Sequence, residues 1–148
     1  MMSMPENNVH EILALNEITK LNGLSLTKAQ AAELVVTKQK ALRDTGRMDF
    51  DNSVIQKIVT IFSESAYLDK RNYPETLMKL TEIFYCFKNE TEDFLSDDEL
   101  ISFMNKTFNK ECAGSSELLE EKFLPELVKR LKEKNAHNIF ETAVTEDE

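Results

Sequence analysis

"RNYPETLMKLTEIFYCFKNE", residues 71–90, decides the fold. Its spacing predicts a helix that opens at Asn72 as a cap and tolerates Pro74 in the first turn, where no backbone N–H is needed. Leu77, Leu80, Phe84 and Phe87 recur at helical spacing and form one apolar stripe. "IFYCF", residues 83–87, spreads apolar character around most of the circumference, since successive residues turn by about 100°. A helix apolar nearly all round lies at the centre of a fold or shows a face to a partner. The central position is the expectation, and Tyr85 and Cys86 are the candidate partner face, because Cys86 lies away from the main stripe.

The same period runs outward in both directions. Val9, Ile12, Leu13, Leu15, Ile18 and Leu21 predict a first helix ending at Asn22-Gly23. Leu24 and Leu26 read as a short extended piece. Thr27 and Gln30 have capping-box spacing, Leu34, Val35, Lys38, Ala41 and Leu42 continue the second helix, and Gly46 is its natural left-handed stop. A third helix starts near Asp51 with Ile55, Ile58, Val59 and Phe62 inside. "LSDDELISFMNKTF" is the fifth helix. "SSELLEEKFLPELVKRLKEKN" is the sixth, with Leu124, Leu127, Val128 and Leu131 on one face. Pro125 removes a backbone bond and crowds residue 121, so a kink or break is expected near Phe123–Leu124. With only three Gly and three Pro in 148 residues, long helices with few turns are favoured. The expected fold is all-α, a compact irregular bundle of about six helices with no sheet. One domain spans 1–134, followed by an acidic frayed tail, 135–148.

Charge narrows the function. The formal net charge is −9, and the whole excess lies in residues 72–148. Such a surface repels phosphate backbones and anionic lipid, so neither nucleic acid nor membrane is an expected direct partner. No signal peptide or membrane-length apolar run is present, and the two cysteines form no CxxC, so a cytoplasmic, reduced protein is expected.

"KNETEDFLSDDELISF", residues 88–103, is the densest acidic stretch. An EF-hand needs oxygen ligands at positions 1, 3, 5 and 12 and Gly at 6. Every register places Leu, Ile, Phe or Met at a ligand position, and no Gly falls between Gly46 and Gly114. A folding role fits instead. Ser96 and Glu99 form a capping box, Leu95 and Leu100 the matching staple, and Asp97 and Asp98 sit where the helix dipole favours negative charge. Glu90, Glu92 and Asp93 have no such role. They read as a solvated face, with protein docking as the functional alternative.

Catalytic signatures are lacking: no GxGxxG, P-loop, GxSxG or HExxH occurs. His10 and His137 stand near opposite ends as surface residues. Cys86 reads as a small buried hydrophobe and Cys112, in "KECAGSS", as the more accessible loop thiol. Arg43 and Arg47 about Gly46, and Lys70-Arg71, read as helix C-terminal charges. No catalytic, cofactor-binding or metal-ligating residue is identified, and no cofactor is expected.

Three runs, "LSLTKAQAAELVVTKQKALRDTGRMDF", "SESAYLDKRNYPETLMKLTEIFYCFKNET" and "SDDELISFMNKTFNKECAGSSELL", resemble a family of small bacterial proteins catalogued only as a domain of unknown function. The resemblance covers about residues 24–122. It implies a bacterial, intracellular, helical protein and carries no known activity or site. Pro125 and "ETAVTEDE" lie outside it.

These readings converge on a non-enzymatic adaptor or regulatory module that binds another protein, its identity and the oligomeric state being left open. The docking candidates are Tyr85, Cys86, Glu90, Glu92 and Asp93. One alternative is an enzyme or metal-binding bundle using scattered carboxylates, although no Glu-x-x-His pair supports it. The other is an acidic nucleic-acid mimic.

Overall fold

The fourth expected helix, α5 (Tyr73–Glu90), is the axis of the structure. A computed structural model describes residues 4–48, 52–91 and 94–134, the side chains of 4–7 excepted. Leu77, Leu80, Ile83, Phe84, Tyr85 and Phe87 are all buried. Burying side chains of this size contributes about 1.5–3 kcal/mol each. The helix packs most extensively on α3 (Lys28–Thr45) and also meets α4 (Ser53–Phe62), α6 (Asp97–Asn109) and the short α7 (Ser116–Leu118).

The start of α5 differs from expectation. Asn72 makes no side-chain cap. Its amide instead accepts from the Asp69 N–H at 2.8 Å and donates to the Tyr67 carbonyl at 3.0 Å, holding the preceding turn. The Asp69 carboxylate closes the same turn, accepting from the N–H groups of Arg71 and Asn72 at 2.8 and 3.0 Å. Those bonds, Asn72's first, hold the Asp69 pKa below the ordinary carboxylate value.

The first helix is divided into α1 (Met4–Ala14), α2 (Asn16–Thr19) and a 3₁₀ turn (Lys20–Asn22). Asn16 is committed elsewhere: its side-chain amide bonds both the N–H and the carbonyl of Leu26 at 2.9 Å. This clasp holds the Leu24–Leu26 piece, whose two leucines are buried and which pairs with no strand among the described residues. The break at Leu15 shifts the helical phase. Val9 and Ile12 remain in the core, while Ile18 and Leu21 of the expected stripe are 49% and 82% exposed.

Elsewhere the local signals operate as read. Thr27 and Gln30 form the capping box of α3. Gly46 ends the helix at φ 68°, and the Arg47 N–H reaches the Leu42 carbonyl at 2.9 Å. Lys38 is buried with the α3 stripe, its ammonium 3.5 Å from the Asn52 side-chain oxygen. Asn52 also donates to Asn8 at 2.9 Å, whereas the expected start at Asp51 lies outside the described residues. α4 buries Val54, Ile55, Ile58, Val59 and Phe62, and Phe62 meets Phe108 of α6 edge-on with centroids 5.4 Å apart.

The irregularity expected from Pro125 is a π-turn over Leu119–Phe123, after which helix α8 runs over residues 124–134. The wider turn relieves the crowding that a proline imposes on the preceding turn while the chain stays helical. Six helical units therefore build the fold, and no strand occurs among the described residues. The expected tail, 135–148, lies outside them.

Candidate functional site

Helix α5 is enclosed on every side but one. Glu82, Cys86, Asn89 and Glu90 are its exposed residues toward the C-terminus, with half-buried Lys79 one turn before them. They recur every three or four positions and so form one stripe. α3 faces this stripe with Val36, Thr37, Lys40, Ala41, Asp44 and Thr45, and the π-turn adds Glu120. With those four exposed residues of α5 they line an open groove of about 580 Å³.

The groove combines an apolar edge with an acidic rim. Val36 is 61% exposed, although its neighbour Val35 is buried. Asp44, Glu82, Glu90 and Glu120 supply four carboxylates, and Lys40 is the ammonium among the lining residues. Lys79 pairs with Glu120 at 2.9 Å across the end of the groove. The Glu120 hydrogen bond, above all, raises the Lys79 pKa. Burial, then Glu90 and Glu120, push the Cys86 thiol up. A thiolate is disfavoured there, which is the wrong direction for a nucleophile.

The two cysteines exchange their expected places. Cys86 is exposed and Cys112 is buried, at 2%. The phase of α5 turns Cys86 outward although its sequence neighbours are aromatic. Cys112 sits in a tight turn after α6, where its N–H bonds the Thr107 carbonyl at 2.9 Å and the Gly114 N–H bonds the Phe108 carbonyl at 2.8 Å. Positive φ at Ala113 and Gly114 folds this turn back onto the body. Burial also raises the Cys112 pKa, with a further contribution from Glu111.

The docking candidates are separated in the same way. Cys86 and Glu90 share the groove. Tyr85 does not: it is 3% exposed and packs edge-on against Phe84 at 5.0 Å, so it is a core residue and presents no face to a partner. Glu92 and Asp93 lie outside the described residues. Sequence reasoning missed Val36, Asp44, Glu82 and Glu120. Val36 had a signal, since only one valine of the Val35-Val36 pair can follow the buried α3 stripe. Glu120 had none, because its placement depends on the π-turn.

The rest of the acidic stretch is tied into the fold. Ser96 and Glu99 complete the capping box of α6, and its bonds to Ser96 lower the Glu99 pKa. Lys88, 8% exposed, reaches from the end of α5 to the Leu95 carbonyl at 2.5 Å and the Asp97 carboxylate at 3.0 Å. Lys57 of α4 pairs with Asp98 at 2.6 Å. The described flanks of this junction, 88–91 and 94–99, are thus tied to the ends of α5 and α6. Among the described residues, no three His, Cys, Asp or Glu side chains stand where one ion would be held, and no helix is long and apolar enough to cross a membrane.

The chain belongs to a family of unknown function (DUF6323), which matches residues 11–137. The match extends beyond the resembling segment at 24–122 and takes in Pro125 and the π-turn. No curated protein and no solved structure matches the chain.

Proposed function

We propose that this protein is a non-enzymatic, cytoplasmic interaction module that binds another protein through the α3–α5 groove. One observation carries the reading: the central helix is buried except for a single stripe, and that stripe floors an open groove edged by an exposed valine. An open groove between two packed helices, with an apolar edge, is a shape into which an amphipathic segment of another protein docks. The raised Cys86 pKa speaks against covalent chemistry at the same place.

Affinity capture of the tagged full-length chain from native cells, at low and high salt, tests this. The wild type is compared with Val36→Asp, a change at an exposed position. One stoichiometric protein retained by the wild type and lost by the variant is the expected result. A partner held equally by both would place the interface elsewhere and overturn the assignment.

A further inference from the structure

We infer that the groove receives a basic amphipathic segment of another protein, with Lys or Arg at the Glu82 and Glu90 carboxylates and an apolar side chain against Val36 and Cys86. This rests on the interaction reading above and adds the chemistry of the partner.

Charge selects the occupant. The lining carries four carboxylates against one ammonium, Lys40, and Glu120 is already shared with Lys79. A concave wall focuses such a field toward whatever enters. A second copy of this chain is disfavoured, because it brings another molecule of net charge −9 to the same acidic rim. The chain's own end, residues 135–148, is disfavoured for the same reason: Glu141, Glu146, Asp147 and Glu148 are charged, and no Lys or Arg is present. A basic segment matches the rim, and its apolar residue supplies contact area at the edge formed by Val36. Electrostatic matching of this kind contributes on-rate and specificity, while apolar burial supplies most of the hold.

Spacing specifies the segment further. Glu82, Cys86 and Glu90 stand at successive i, i+4 positions of α5. At 1.5 Å per residue, the two carboxylates are separated along the axis by about 12 Å, with the thiol midway. A helical partner laid along the groove meets them with two basic residues about eight apart and an apolar residue between.

The test is an amide-shift titration of the full-length, nitrogen-labelled protein with a designed helical peptide carrying Arg at i and i+8 and Leu at i+4. Two control peptides are used, one with Glu replacing Arg and one with the same composition scrambled. The expected result is that shifts concentrate in residues 36–45 and 79–90. Affinity should fall at least tenfold in the Glu82→Lys/Glu90→Lys double variant and severalfold in Val36→Ser, which removes the apolar contact without changing the charge of the groove. Preserved amide dispersion confirms that each variant is folded. Equal binding of the scrambled or Glu peptide, unchanged affinity in both variants, or shifts centred on the start of α6 would overturn the proposal. A native partner captured through the groove by an acidic or uncharged segment would also overturn it, while leaving the interaction reading in place.

Discussion

Cys86 and Cys112 have opposite sequence neighbourhoods and opposite fates. Cys86 is embedded in "IFYCF" and faces solvent. Cys112 is embedded in "KECAGSS" and is sealed at 2% exposure. The polarity of adjacent residues is therefore a poor guide to burial in a helical protein. Within a helix, neighbours in sequence point about 100° apart, so position relative to the stripe decides. In a tight turn, backbone direction decides, and here it is set by hydrogen bonds to Thr107 and Phe108 and by two residues with positive φ.

Thiol labelling of the native protein is the sharpest way to break this contrast. Cys86 should react first, without any opening of the fold, at a rate lowered only by its raised pKa. Cys112 should react ~1,000-fold more slowly or less, through an opening that costs about 4 kcal/mol. Comparable rates would mean that the turn after α6 does not hold. Mutation separates the two faces of α5 in turn. Phe84→Ala empties a site that is 1% exposed, and chemical denaturation should show a loss of about 3–5 kcal/mol. Cys86→Ala should stay within about 0.5 kcal/mol of the wild type. A large loss at Cys86 would mean that the stripe is packed in solution.

Gly114 tests the turn that buries Cys112. Its φ is 86°, and a Cβ there would stand 2.5 Å from the Tyr67 Cβ. Gly114→Ala should cost about 2 kcal/mol or more, since left-handed backbone alone costs about 1–2, and should accelerate Cys112 labelling while leaving Cys86 unchanged. The last effect is nil at neutral pH. Tyr73, buried at the start of α5, has its phenol pKa pushed from 10.0 up to about 12 by burial, with Thr19 offsetting it slightly. The neutral form is favoured in the folded state. Its contribution is complete below pH 10 and is lost as pH rises from 10 to 12. Denaturation midpoints should fall through that window in the wild type and less steeply in Tyr73→Phe, and identical slopes would refute the assignment.

Much of the fold was legible because helices rest on local rules. Both capping boxes, the Gly46 stop and the irregularity before Pro125 follow from interactions within about five residues. Less of the candidate site was legible. Of the residues singled out in the sequence, Cys86 and Glu90 line the groove and Tyr85 is buried in the core, while the α3 and π-turn contributions went unseen. A groove is a relation between elements, and its lining comes from positions as far apart as Val36 and Glu120.

By itself, the sequence determined which segments are helical, the capping boxes of α3 and α6 and the Gly46 stop, and that the second half carries the acidic excess. Spacing, caps and charge count are properties of the chain. Tertiary structure alone decided that Asn16 clasps Leu26 beside the break in the first helix. It also decided that Lys88 ties Asp97 into the junction and that one stripe of α5 remains uncovered. Each depends on which groups distant in sequence or direction arrive within bonding distance. Only the packed chain sets that.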